Sequence, residues 1–369
     1  MLIGVPKEIT NHEYRVGLTP AGVFELSRYG HDVLVETKAG LAIGYDDEAY
    51  IQAGAKIAQN VAEVYSADMI VKVKKLLSSE YDYLRSGQII FTYLHLAVDP
   101  DLTQVFLERD CVAIAYETVT DDSGGLPLLA PMSEVAGKLA VQAGASFLER
   151  QNGGAGVLLG GVPGVKAANV VIVGGGVVGS NAARVAVGMG ADVTILDRNI
   201  GLLRQLDLQY QGRVKTIFSN QMNLEKAIRS AHLVIGAVLI RGAATPKLIS
   251  HQLVQEMKDG AVIVDVSIDQ GGCCEPSWPT THQIPTYVLE GVVHYCVTIM
   301  PGAVAKTSTI ALTNATLPII LEVANKGWQR AARDNQHLRN GINTCAGSIT
   351  SYPVARDLGY TYVDPLTLI

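Results

Sequence analysis

Residues 169–179 read Asn-Val-Val-Ile-Val-Gly-Gly-Gly-Val-Val-Gly, and a helix rich in small residues opens directly behind them (Ser180-Asn-Ala-Ala-Arg-Val-Ala-Val). A second apolar run, Val193-Thr-Ile-Leu, ends in Asp197, 23 positions after Gly174. Strand, glycine turn, helix, strand and terminal acid, in that order, are the parts of a βαβ dinucleotide site. Gly174 permits the tight turn, and Gly176 lets backbone approach a pyrophosphate. Gly179 lets helix and strand pack closely, while the helix N-terminus offers unpaired N–H groups to phosphates. Asp197 is placed to accept hydrogen bonds from the adenosine ribose. A lone Gly-x-Gly-x-x-Gly says little, but its register with the flanking elements makes this one specific.

A chain of 369 residues is long for one core, which favours two domains. Hydrophobic content of 48% against 17% charged residues implies extensive burial. Much of it falls in short Val/Ile/Leu runs of the kind that parallel strands covered on both faces require. A net charge of −6 gives no support to nucleic-acid or anionic-membrane binding. No segment reaches the roughly 18 consecutive apolar residues of a membrane span. The N-terminus, Met-Leu-Ile-Gly-Val-Pro-Lys-Glu, lacks the basic and apolar regions of a secretory signal. Five cysteines without a Cys-x-x-Cys pair fit free thiols in a reducing cytoplasm and argue against a metal site.

From residue 1 to about 130, strand-like runs (2–5, 32–36, 69–73, 88–94, 112–116) alternate with helical ones, including 20–29 and 100–109. A helix over 133–150 follows, with Ser133 as its N-cap. Beyond Asp197 come strands at 214–218, 233–238 and 261–266, then a long apolar helix at 308–325. The pattern predicts an α/β protein with two Rossmann-like, doubly wound domains whose parallel sheets flank a cleft. The C-terminal segment is too short for a domain of its own and is expected to rejoin the first. The nucleotide domain, 131–307, is then an insertion into a substrate domain formed by 1–130 and 308–369.

Outside the fingerprint, candidate chemical residues lie at strand ends or in glycine-rich turns. Arg15 suits a substrate carboxylate through two parallel hydrogen bonds, and an ordinary surface arginine is the alternative. Lys72 and Lys74 fall on one face of a strand, pointing into a cleft or simply into solvent. His95 ends an apolar strand and suits proton transfer, unless it is a core histidine satisfied by backbone. Asp265 and Asp269 frame Asp-Val-Ser-Ile-Asp-Gln-Gly-Gly, where Asp269 suits orienting water or an amine, and plain turn formation is the alternative.

Taken together, the motifs resemble the alanine dehydrogenases, relatives of the first component of nicotinamide nucleotide transhydrogenase. The similarity runs from Gly4-Val-Pro-Lys-Glu and Glu13-Tyr-Arg-Val-Gly-Leu-Thr-Pro to Thr307-Ser-Thr-Ile-Ala-Leu-Thr-Asn-Ala-Thr-Leu-Pro. Between them stand Phe91-Thr-Tyr-Leu-His-Leu-Ala, Ala115-Tyr-Glu-Thr-Val, Pro131-Met-Ser-Glu-Val-Ala-Gly, Gly160-Gly-Val-Pro-Gly-Val and Val266-Ser-Ile-Asp-Gln-Gly-Gly-Cys. The resemblance implies a cytoplasmic homohexamer that interconverts L-alanine, NAD⁺ and water with pyruvate, ammonium and NADH. It assigns Arg15 and Lys74 to substrate binding, His95 to acid/base work, and Asp269 to the handling of water or ammonia. Cofactor contacts fall on Ser133, Gly174, Gly176, Gly179, Asp197, Ser219, Val238, Leu239 and Ile268. Alternatives within this frame are a transhydrogenase-like component and an NAD-binding hexamer with impaired catalysis.

Four departures stand against the family pattern. Lys75 and Leu76 replace the usual Glu-Pro after Lys74, adding a like charge beside that lysine and removing a stiffening proline. Ile299 replaces an asparagine, and Ala305 a proline. A basic residue usual five positions beyond the ribose-binding acid is Leu202 here, while Arg198 directly follows Asp197 and suggests partial tolerance of NADP.

Overall fold

The computed structural model describes residues 1–238 and 245–369. These form two compact units, one of Met1–Met132 with Val304–Ile369 and one of Ser133–Ala303, against joints expected at 130/131 and 307/308.

The first unit opens with strands Leu2–Val5 (β1), Asp32–Glu36 (β2), Lys56–Ala58 (β3), Met69–Val71 (β4), Ile89–Thr92 (β5) and Val112–Ala115 (β6). The second unit carries Asn169–Val173 (β7), Asp192–Asp197 (β8), Val214–Phe218 (β9), Leu233–Gly236 (β10), Val262–Asp265 (β11), Thr286–Leu289 (β12) and Val292–Tyr295 (β13). The chain then returns to the first unit as Ile342–Cys345 (β14) and Ser348–Ile349 (β15). The first sheet runs β15-β14-β6-β5-β4-β1-β2-β3 and the second β12-β13-β11-β10-β7-β8-β9.

Both sheets are double-faced, which is why their strands read as unbroken apolar runs. Alternate residues of one strand enter different cores. Met69 and Val71 join Ile3, Val5 and Phe91 on one face of the first sheet. Ile70 joins Ile90, Leu94 and Phe106 on the other. In the second sheet Val170 and Ile172 lie in one core, and Val171 and Val173 in the other.

The sheets are parallel except at their edges, where β12 pairs antiparallel with β13, and β14 with both β6 and β15. Each hairpin turns on two residues of positive φ, Glu290-Gly291 (51° and 74°) and Ala346-Gly347 (47° and 64°). That geometry matches the twist of the flanking strands, but Glu and Ala in the first turn position hide it from a sequence reading.

Two expectations need correction. The helix expected from a Ser133 cap runs over Ala130–Phe147, so Ser133 lies inside its first turns and caps nothing. One segment, Met300–Lys326, is long and apolar enough by length and composition to cross a membrane, because its Ile, Leu, Val and Ala residues keep the mean hydropathy high although threonines and other polar residues interrupt the apolar run. Within it, Leu312, Ile320 and Val323 of helix Ala305–Lys326 are packed in the core of the first unit. All five cysteines are buried and unpaired.

His294 on β13 is fully buried, and neither ring nitrogen has a hydrogen-bond partner among the described residues. Its ring stacks on Tyr287, 5.0 Å away and tilted by 7°. Burial, with the nearby His251 charge, pushes its pKa down to about 4. The folded state therefore resists a proton that the unfolded chain takes up below its ordinary value, and stability drains away as pH falls from there towards 4. At pH 5 this amounts to about 2 kcal/mol. His294→Phe, which keeps the stack, is expected to gain that much more stability at pH 5 than at pH 8. Denaturant unfolding at the two pH values checks it, and an equal effect at both would refute the assignment.

Candidate active site

In the first unit, the residues expected to meet substrate follow the carboxyl ends of β1, β4 and β5, and Glu117 follows that of the next strand, β6. All four strands are neighbours in the sheet. Arg15 lies in the segment after β1 and is 2% exposed, which removes the surface-arginine alternative. Its Nε and Nη2 donate to the two carboxylate oxygens of Glu13 at 2.7 Å each, and Nη1 approaches the Met132 sulfur at 3.3 Å. The side edge of the guanidinium is thus occupied, and a carboxylate ligand is left the Nη1–Nη2 end. Burial alone would push the Glu13 carboxyl up, but the Arg15 hydrogen bonds and charge outweigh it, with Lys74 adding, and hold it down.

Lys72 is not a solvated strand end. Its Nζ is buried between Glu80, at 2.7 Å, and Glu8, at 3.4 Å. The two acids overcome the cost of burial and keep Lys72 charged. Glu8, with the longer contact, remains raised by its own desolvation. One Glu8 oxygen also accepts the backbone N–H groups of Val73 (2.7 Å) and Lys74 (3.0 Å), and so fixes the backbone that carries Lys74.

The two departures beside Lys74 are absorbed locally. Lys75 is ion-paired to Asp99, which caps helix Pro100–Glu108, so the added charge is offset rather than pressed on Lys74. Leu76, 1% exposed, fills the core with Leu94, Leu96 and Phe106 instead of stiffening the strand exit.

His95 is no core residue: its side chain is 55% exposed. Its backbone is left-handed, with φ of 51°. The ring stacks on Tyr93, and the Tyr93 hydroxyl donates to the Leu128 carbonyl at 2.7 Å.

In the second unit, the expected cofactor positions line the carboxyl ends of five adjacent strands. Gly174 follows β7 with φ of 100°, and a Cβ there would sit 2.6 Å from the Ala237 carbonyl oxygen. At Gly179 a Cβ would lie 1.8 Å from the Gly174 oxygen, so no larger side chain fits. A Cβ at Gly176 would meet nothing within 4 Å, leaving open space before the helix N-terminus. That helix, Val177–Gly188, has no side-chain cap, whereas Asn199 and Asn220 cap the two that follow. An uncapped N-terminus beside open space fits a pyrophosphate.

Asp197 ends β8, accepting the N–H of Gly175 (2.7 Å) on one oxygen and that of Asn199 (2.8 Å) on the other. Its carboxylate is thereby fixed at the strand end with acceptor capacity to spare for ribose hydroxyls. Ser219 follows β9, its N–H bonded to the Asp197 carbonyl at 2.9 Å. Val238 follows β10, and its N–H donates to Ser267 Oγ at 3.1 Å, a contact no sequence motif announced. Ile268, buried, and Asp269, exposed, follow β11. Ser133 lies in helix Ala130–Phe147, one turn before Gly137, where a Cβ would sit 2.2 Å from the Val178 carbonyl oxygen of the fingerprint helix, and Leu239 is outside the described residues. Asp265 is the last residue of β11 and fully buried, its carboxylate accepting the N–H groups of Cys273 and Cys274 in the loop beyond.

Both Asp269 carboxylate oxygens accept from Ile299 N–H, at 3.2 and 3.3 Å. Ile299 has φ of 59°. Its carbonyl accepts from Gly302 N–H at 2.9 Å and lies 3.3 Å from His282 Nε2. A β-branched residue resists this conformation, so its neighbours hold it there against about 1–2 kcal/mol of strain.

Two sheets with helices on both faces, one of them presenting a glycine turn, an uncapped helix and a terminal acid, define a doubly wound protein of the dinucleotide-binding class. Residues 4–136 match the model of the alanine dehydrogenase/PNT N-terminal domain, and 140–352 that of its C-terminal domain. The alanine dehydrogenase of Halomonas elongata is 55% identical across the full length of both chains. That of Bacillus subtilis is 56% identical over 98% of this chain and 96% of its own. Among solved structures, an L-alanine dehydrogenase superposes with a TM-score of 0.94 at 49% identity, covering 97% of this chain and 99% of that one. A transhydrogenase from Sinorhizobium meliloti shares the fold, with a TM-score of 0.82 at 22% identity over 95% and 99% of the two chains. The chain belongs to the alanine dehydrogenase/PNT family.

Ile299→Asn is expected to relieve the strain, since asparagine tolerates the left-handed region, and to raise stability by about 1 kcal/mol. It is also expected to raise turnover more than it changes NADH affinity, because it adds a polar side chain to the residue whose N–H holds Asp269. Thermal unfolding, steady-state kinetics and NADH titration check this; unchanged stability would show that the loop carries no strain.

Proposed function

We propose that this protein is an NAD-dependent amino-acid dehydrogenase that converts L-alanine, NAD⁺ and water to pyruvate, ammonium, NADH and a proton, and runs the reverse amination. The observation that carries the reading is the pairing of a buried Arg15 after β1 and a half-buried Lys74 after β4 with an exposed histidine after β5, in a chain whose second unit has a dinucleotide-binding sheet. NAD⁺ supplies the hydride acceptor when bound.

The residues of the chain supply the rest. Arg15 holds the substrate carboxylate through its Nη1–Nη2 edge, and Lys74 holds the carbonyl oxygen or amine end. His95 gives and takes the proton on that end as carbonyl and tetrahedral carbinol interconvert. Asp269 orients the attacking water, or ammonia in reverse. Holding reactants in near-attack geometry contributes about 7–11 kcal/mol to such a step, and a positioned acid/base about 10²–10⁴-fold. Cofactor contacts fall on Ser133, Gly174, Gly176, Gly179, Asp197, Ser219, Val238, Leu239 and Ile268. Asp197 repels a 2′-phosphate, which supports NAD over NADP despite Arg198 beside it.

We also assign the chain to the cytoplasm as a homohexamer, in line with its five reduced thiols and the family resemblance. It needs neither nucleic acid nor a membrane for this role.

NADH formation followed at about 340 nm, a property of the cofactor, tests the activity. L-alanine with NAD⁺ is expected to turn over, with L-serine and glycine slower and NADP⁺ giving a far lower kcat/KM. Absence of turnover while NADH still raises the unfolding temperature would identify an impaired binding protein instead. Light scattering is expected to give the mass of six chains; a monomer or dimer would overturn the assembly.

A further inference from the structure

The left-handed backbone at His95 has an identifiable cause. One oxygen of Glu117, just beyond β6, accepts the His95 N–H at 2.6 Å, and both its oxygens accept the Leu94 N–H at 3.2 and 3.3 Å. The same carboxylate stands 3.8 Å from Nδ1 of the imidazole, with its side chain 12% exposed. A non-glycine residue at φ of 51° is costly unless its surroundings dictate it, and two consecutive N–H groups converging on one acceptor do so. The ring of Tyr93, one position before Leu94, lies parallel to the imidazole, at 8° between planes and 6.3 Å between centroids. The backbone is thus turned by Glu117, the half-exposed ring lies parallel to that of Tyr93, and Nδ1 is on the carboxylate side.

We propose that Glu117 is a positioning residue for the dehydrogenase reaction: by binding the N–H groups of Leu94 and His95 it aims His95 Nε2 at the substrate, without touching substrate itself. The proposal rests on the reading of His95 as the acid/base group. Glu13 and Glu8 stand in the same relation to Arg15 and Lys74, but Glu13 also contacts its partner's working head group, so Glu117 isolates the effect best.

The test compares Glu117→Gln, Glu117→Ala and His95→Gln in the full-length protein. Glu117→Gln keeps one oxygen acceptor for the two N–H groups, so the expected order of kcat is parent, then Gln, then Ala, falling by about tenfold at each step within the range a positioned acid/base commands. KM for NADH is expected to stay within about twofold, since the cofactor positions lie in the other unit, and the Gln variant is expected to unfold at the parent's temperature. A structural role alone would lower stability without splitting kcat from KM and without partial rescue by glutamine. If His95→Gln loses activity while both Glu117 variants keep the parent kcat, the positioning role is refuted and the His95 assignment stands. If His95→Gln turns over at the parent rate, the acid/base assignment fails, and the positioning role with it.

Discussion

A parallel strand that ends leaves backbone N–H groups without a ladder partner, and the first unit satisfies them with its own carboxylates. Glu8 takes two consecutive N–H groups beyond β4, and Glu117 takes two beyond β5. Glu13 does the equivalent for a side chain, gripping Arg15 by two nitrogens. Each acid binds a residue proposed to meet substrate, or the backbone that carries it. The working groups are therefore oriented before any ligand arrives, which is where enzymes gain most from fixed dipoles and charges. Lys72, buried between Glu8 and Glu80, ties one of these acids into the core.

The second unit solves the same problem in the opposite way. Its fingerprint glycines clear space at the strand ends, and the helix behind them goes uncapped. At the fingerprint turn Asp197 reaches back to the N–H of Gly175. One unit fills its strand ends with internal charge, and the other leaves its principal helix N-terminus for an external one. The division follows from ligand size: a small 2-oxo acid needs a few aimed contacts, whereas a pyrophosphate needs room for backbone approach.

Much of this was legible in the sequence. Strands β1, β2, β7 and β9 follow from apolar runs with clear limits, and the glycines and Asp197 from their spacing. Arg15, Lys74 and His95 were visible as candidates, yet their surroundings were not. Glu8, Glu13 and Glu117 all stand inside motifs that signalled the family, but a glutamate beside a strand end looks the same whether it faces solvent or binds backbone. The hairpins β12–β13 and β14–β15 escaped because Glu-Gly and Ala-Gly do not carry the usual turn signal. Ser133 looked like a cap, but the helix begins earlier, at Ala130. Lys75 looked disruptive until Asp99, 24 residues away, appeared beside it. Long-range partners of charged residues are the part that local pattern does not encode.

The buried thiols have a practical meaning. Desolvation pushes Cys111 and Cys274 up to about 12, and Cys296 and Cys345 up to about 11, and raises Cys273 well above the ordinary thiol value. At neutral pH none of them carries appreciable thiolate, the form that reacts with electrophiles and oxidants. The folded protein is thus expected to react slowly with thiol reagents. A single cysteine placed on its surface becomes a unique attachment point for a fluorophore or spin label, and all five natural thiols can stay where they are.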